Sequence, residues 1–197
     1  MEPVNPGTLD RRQVVKSLLQ DRGELLVVSG LGSPSYDVMA AGDHDCNYYL
    51  WAAMGSAVTV GLGIAKAQPG RKVLVITGDG EMLMGLGALA TIAVQKPANL
   101  SIAVLDNGHY GETGMQSSHA GQGIALDKIA AACGFDCCEQ IDDMGALETL
   151  RQRIHAEPGL NFATIRIAAD SPPRVIPSRD GVHIKNRFRA ALGFSPI

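Results

Sequence analysis

The chain has 197 residues, 46% of them hydrophobic and 19% charged, with 23 glycines and a formal net charge of −3. That length suits one ordinary domain with a substantial core, and the composition excludes a disordered or collagen-like chain. The mildly acidic balance argues against a nucleic-acid footprint and against attraction to an anionic membrane.

In chain order, the first predicted element is a helix capped by Asp10, with Val14, Val15, Leu18 and Leu19 on one face and Gly23 as its stop. A continuous apolar run at 25–28 reads as a strand buried on both faces. It enters Ser29-Gly30-Leu31-Gly32-Ser33-Pro34, and a short helix follows at 35–41. A polar loop at 42–47 leads to Tyr48-Tyr49-Leu50-Trp51. The stretch 52–67, rich in small residues, predicts a helix packed closely against other backbone. Strand 73–77 ends at Gly78-Asp79-Gly80, helix 81–94 follows, and strand 100–105 ends at Asp106-Asn107-Gly108. Residues 108–125 are glycine-rich with little periodicity, and a loop of that length is usually functional. Helix 127–133, strand 135–141, helix 143–156 and strand 162–168 come next, then coil at 170–181. A basic helix at 182–192 carries Lys185, Arg187 and Arg189, which read as a solvated or interface face before a contact of Arg187 and Arg189 with an anionic substrate.

No stretch reaches the roughly 20 apolar residues that span a bilayer. Met1-Glu2-Pro3 opens neither a basic nor an apolar leader region. Of the four cysteines, Cys133, Cys137 and Cys138 cluster and Cys46 stands apart, without the paired spacing of a zinc site. The expectation is reduced thiols in a cytoplasmic protein.

Strands alternating with helices imply an α/β fold: an open, mostly parallel sheet with helices on both faces. One domain is expected over 1–197, with 170–197 as a C-terminal arm. The loops 30–34, 78–81 and 106–112 each follow a strand directly and should gather on one edge, where such sheets bind ligands.

The chemistry concentrates there. In Gly78-Asp79-Gly80 two glycines allow backbone N–H groups close to an anion, and the helix opening at Glu81 adds positive potential. A carboxylate in that place would repel a diphosphate unless a cation bridged them, which suggests Asp79–Mg²⁺–phosphate. Alone, Asp79 reads more simply as a turn or capping residue. Asn107 changes the weighing: one helix and one strand later the chain returns to the same edge, so both side-chain oxygens can reach one hard cation. Neither Gly30-x-Gly32 nor Gly61-x-Gly63 completes a dinucleotide-binding G-x-G-x-x-G.

GDG, a helix and a strand, then an Asn closing that strand resembles the diphosphate-binding signature of thiamine-diphosphate-dependent enzymes. The resemblance implies Asp79, Asn107 and the backbone carbonyl of His109 as Mg²⁺ ligands. Asn47-Tyr48-Tyr49-Leu50-Trp51-Ala52-Ala53-Met54-Gly55 with Gly61-Leu62-Gly63 resembles the segment that holds the aminopyrimidine ring. It implies a wedge role for Met54, otherwise readable as plain core packing, and a carbonyl contact at Ala52. Gly30-Leu31-Gly32-Ser33 is similar to the family's other diphosphate contact, giving Gly32 and Ser33, while Gly78, Gly80, Glu81, Tyr110 and Gly111 complete the cofactor set. Leu105 through Gln116 most resembles the small subunits of sulfopyruvate and phosphonopyruvate decarboxylases, with Glu112 where a smaller residue is usual.

The family's activating Glu lies on a separate pyrimidine-binding domain, for which this length leaves no room. The resemblance therefore implies a partner (alpha) chain carrying that domain, a hetero-oligomer such as α2β2 or larger, and a small 2-oxoacid substrate that loses carbon dioxide. A carboligase subunit, an acyl-oxidising subunit and a non-catalytic cofactor-binding subunit are the alternatives. Glu112 and His119 are the candidate catalytic residues of the 108–125 loop, His119 reading equally as an exposed histidine or an acid/base near pH 7.

Overall fold

The computed structural model describes residues 7–195; the reading of Met1-Glu2-Pro3 lies outside them. Its centre is a six-stranded, wholly parallel sheet built from β1 (Leu26–Ser29), β2 (Asn47–Tyr49), β3 (Val73–Gly78), β4 (Asn99–Asp106), β7 (Cys137–Ile141) and β8 (Gly159–Arg166), in the order β2-β1-β3-β4-β8-β7. A separate antiparallel hairpin, β5 (His109–Tyr110) and β6 (Gln116–Ser117), stands in the long loop expected at 108–125.

The continuous apolar strands are buried on both faces. Along β3, Val73 and Val75 face one core layer with α3 (Ala57–Ala67), α5 (Ala88–Gln95) and α6 (Leu126–Cys133). Leu74 and Ile76 face the other, with α1 (Arg11–Leu18) and α7 (Met144–Ala156). Each fully buried Leu or Ile is worth about 1.5–3 kcal/mol, so alternate residues of one strand hold two helical layers. α2 (Ser33–Ala41) starts with Pro34 in its first turn and packs beside α1.

The close packing expected of the small-residue helix is present: a Cβ on Gly61 would lie 2.3 Å from Val75 Cγ2. Its start is not where the composition puts it. The helix begins at Ala57 rather than residue 52 because Ala53 (φ 56°) and Gly55 (φ 90°) take left-handed backbone that no α-helix contains. The expected 81–94 helix is likewise two helices, α4 (Asp79–Met84) and α5, split around Gly85.

Other limits shift. The first helix ends at Leu18 instead of running to Gly23, and β2 occupies the end of the expected polar loop. β7 starts at Cys137 because Gly134 (φ 100°) closes α6 and Phe135 N donates back to Ala130 O.

After β8 the chain crosses the carboxyl edge of the sheet as irregular backbone and ends in α8 (Gly181–Ala191), capped by Asp180. Arg12 Nη2 donates to Pro173 O (2.8 Å) and Trp51 Nε1 to Ser178 O (2.6 Å), tying this arm down along its length. α8 docks on β2 through Phe188, edge-on to Tyr48 with ring centroids 5.5 Å apart. Arg187 Nη1 donates to Asp43 Oδ2 at 2.7 Å and covers the Tyr49 ring, so it belongs to this tie. Among the described residues no helix is long and apolar enough to cross a membrane.

Candidate functional site

The loops after β1, β3 and β4 do converge. Between them lies a cleft of about 150 Å³, lined by Ser33, Met54, Gly78, Asp79, Gly80 and Glu81 and by the loop residues Asn107, His109, Tyr110, Gly111 and Glu112. Three sequence candidates are not among the lining residues. Gly32 (φ 76°) forms the turn into α2, where a Cβ would stand 3.2 Å from Glu112 Cγ. Ala52 is exposed on the loop after β2. His119 lies behind Tyr110, its Nδ1 3.1 Å from the Tyr110 hydroxyl, in an apolar groove with Leu83, Met84 and Ile129.

Gly80 lies flat beneath an aromatic ring: a Cβ there would fall 2.6 Å from Tyr110 Cδ1, so only glycine leaves the backbone open at this point. Glu81 is buried under the same floor. Thr77 Oγ1 donates to its Oε2 (2.8 Å), and a Cβ on Gly30 would sit 1.7 Å from that oxygen. Glu81 thereby locks the end of β3 against the end of β1, and burial pushes its carboxyl above the usual range.

Asp79 and Asn107 stand together at the cleft floor. Asp79 is 2% exposed and accepts a hydrogen bond from the Ser118 hydroxyl. Burial and the neighbouring Asp106 carboxylate push it up to about 6. Asp106 accepts from Gly108 N (2.9 Å) and faces Arg166 across 3.7 Å. Asn107 Oδ1 accepts from His109 N at 3.0 Å, the tight turn that presents the residue to the cleft. Asp79 and Asn107 both line the cleft, a buried carboxylate and a buried amide whose hard oxygens suit a divalent cation. Among the described residues no cluster of three His, Cys, Asp or Glu could hold a metal, and all four cysteines are free.

Arg11, Asp37, Ser118 and Arg174 are residues the sequence reading missed. Arg11 opens α1 and lines the cleft although it is only 5% exposed. A signal existed: the pair Arg11-Arg12 puts cations in a first helical turn, where the helix dipole disfavours them. Ser118 and Arg174 carried none, since one lies in a featureless loop and the other in coil.

Residues 35–162 match the family model of the C-terminal TPP binding domain of thiamine pyrophosphate enzymes. The chain belongs to the thiamine pyrophosphate enzyme family. Within it, this thiamine pyrophosphate domain is 33% identical over 180 residues to the sulfopyruvate decarboxylase subunit beta of Methanothermobacter thermautotrophicus, covering 91% of this chain and 94% of that one. It is 44% identical over 174 residues to a phosphonopyruvate decarboxylase of Streptomyces hygroscopicus, covering 83% of this chain and 40% of the relative. The chain thus spans well under half the length of the phosphonopyruvate decarboxylases it matches. The crystal structure of benzoylformate decarboxylase from Polynucleobacter necessarius superposes with a TM-score of 0.68 at 18% identity, over 86% of this chain and 36% of that one, a likeness of fold alone.

Proposed function

We propose that this chain is the beta subunit of a two-subunit thiamine-diphosphate-dependent 2-oxoacid decarboxylase, acting on a substrate of the sulfopyruvate or phosphonopyruvate type. The observation that carries the reading is the buried Asp79–Asn107 pair at the floor of the cleft, in a chain nearly collinear with a relative named as a subunit. In this reading 1–197 is one diphosphate-binding domain, 170–197 its C-terminal arm, and the enzyme a cytoplasmic hetero-oligomer.

The Asp79 and Asn107 side chains and the His109 carbonyl would hold Mg²⁺, a hard cation satisfied by oxygen donors and by phosphate oxygens. Gly78, Gly80 and Gly111 would let backbone amides approach the diphosphate, with Ser33 as hydroxyl donor. Thiamine diphosphate, when bound, supplies a nucleophilic carbon and an electron sink for the bonding pair left behind as carbon dioxide departs. The chain's own part is to grip the cofactor and shape the substrate side. Met54, 44% exposed on a loop that Ala53 and Gly55 hold in left-handed backbone, would prop the cofactor's bend. Glu112 would stand at the substrate side, and His119 would position Tyr110 through its hydroxyl. The activating Glu would come from the partner subunit's pyrimidine-binding domain.

The experiment is reconstitution: mix the chain with its candidate partner, thiamine diphosphate and Mg²⁺, and follow carbon dioxide release from a panel of 2-oxoacids. Release that requires both chains supports the reading. If Asp79→Ala binds the cofactor with unchanged affinity, the metal site is wrong.

A further inference from the structure

Beside the cofactor cleft lies a second, smaller cavity of about 50 Å³, lined by Arg11, Arg12, Tyr36, Asp37 and Arg174. The two cavities share Arg11, Ser33, Gly111 and Glu112, so the Ser33–Glu112 hydrogen bond (3.0 Å) stands at their boundary. The small cavity contains none of the residues assigned to Mg²⁺.

Its cations are built in, not scattered on a surface. Arg11 Nε donates to Asp37 Oδ2 (2.7 Å), and Arg12 Nε meets Asp37 Oδ1 at 3.0 Å, so one buried carboxylate serves two guanidinium groups. Arg12 spends its other nitrogens on Tyr36 O and Pro173 O. Arg11 does not: Asp37 is its one side-chain hydrogen-bond partner among the described residues, and the side chain, 6% exposed, lines both cavities. Arg11 lines the cavity, where an anion would give its guanidinium charge-assisted hydrogen bonds. Across the cavity Arg174 comes from the arm, lies 5.7 Å over the Tyr36 ring, and donates through Nη2 to Glu112 Oε2 at 2.8 Å. Two guanidinium groups facing one small polar space suit a tetrahedral oxyanion, which their planar forks bind through several charge-assisted bonds.

We propose that Arg11 and Arg174 form the subsite for the second acidic group of the substrate, a sulfonate or phosphonate carried beyond the 2-oxoacid. This rests on the decarboxylase reading above. Glu112 is then a positioning residue, holding Arg174 at the mouth of the subsite. The cofactor's terminal phosphate is the other tetrahedral oxyanion that could reach Arg11, and the test separates the two sources.

Inorganic sulfate and methylphosphonate are titrated calorimetrically into the full chain, with and without saturating thiamine diphosphate and Mg²⁺. The expected result is binding that survives the cofactor and weakens 10- to 100-fold in Arg174→Met, an exposed substitution in coil, and in Arg11→Met. In the enzyme reconstituted with its partner, the ratio of kcat/KM for sulfopyruvate to that for pyruvate falls by a similar factor, and Arg11→Lys restores part of it. Competition between sulfate and thiamine diphosphate, or wild-type sulfate binding in both Met variants, overturns the subsite. Sulfate bound at Arg11 and Arg174 in an assembly that decarboxylates no 2-oxoacid would sink the decarboxylase reading and leave the oxyanion site in place.

Discussion

Gly55 and Gly85 meet backbone to backbone: a Cβ on Gly85 would lie 2.0 Å from the Gly55 carbonyl oxygen. The contact joins the loop that carries Met54 to the end of α4, and it is the physical cause of the break between α4 and α5. No side chain can enter it without driving the two segments apart.

Gly85→Ala is therefore expected to cost about 1–3 kcal/mol by overpacking, and to weaken thiamine diphosphate binding by displacing the Met54 loop. Gly87→Ala, two residues on, meets nothing within 4 Å and has an ordinary helical φ of −61°. Its stability should stay within about 0.5 kcal/mol of wild type. Thermal melts and cofactor titration of the two variants check both halves; equal effects would refute the contact.

The Asp79 carboxyl gives the ligand-free chain a defined pH dependence. Its folded-state value is raised, to about 6, above an unfolded value near 3.9. Stability from this group is therefore full below about pH 4 and is lost as pH rises through 6, by on the order of 3 kcal/mol. Asp79→Asn, which keeps a side-chain acceptor for Ser118, should lack that component. Denaturant midpoints from pH 4 to 8 should show the variant gaining on wild type as pH rises, and Mg²⁺ with thiamine diphosphate should narrow the gap.

The dock of α8 on β2 depends on Phe188, 4% exposed and edge-on to Tyr48. Phe188→Ala should cost about 3–5 kcal/mol of stability if α8 folds with the rest. A smaller loss, with early proteolytic release of the last turns, would show that the helix detaches separately.

Burial pushes the Cys138 thiol up to about 11, with the neighbouring Cys137 adding to it. The thiolate is the reactive form, so alkylation of Cys138 by iodoacetamide at pH 8 should be far slower than that of a free thiol near 8.5. Mass-spectrometric labelling rates read this directly, and rapid labelling at neutral pH would contradict the packing described for β7.

Much of this molecule can be read from local pattern. Strands buried on both faces announce themselves as unbroken apolar runs, and Gly78-Asp79-Gly80 with Asn107 marks the cleft floor because strand ends in a parallel sheet share one edge. What could not be read depends on contacts distant in sequence. The split at Gly85 is set by Gly55, thirty residues earlier, and the late start of α3 by a left-handed Ala53 whose side chain gives no hint of it. Arg11 looks like a solvated residue at a helix start, and only its pairing with Asp37 from α2 turns it inward. His119 looked like a cleft residue by its place in the loop, but the β5–β6 hairpin turns it to the far side of Tyr110.

Trp51 is the one tryptophan of the chain, and its indole N–H is held by the carbonyl of Ser178 with the Tyr36 ring 6.1 Å away. Emission excited at the red edge of protein absorbance therefore comes from a single place, where the arm meets the loop leading to Met54. The molecule carries its own optical gauge: lifting the arm would wet the indole and shift its spectrum, so seating can be timed in a stopped-flow cuvette without attaching a dye.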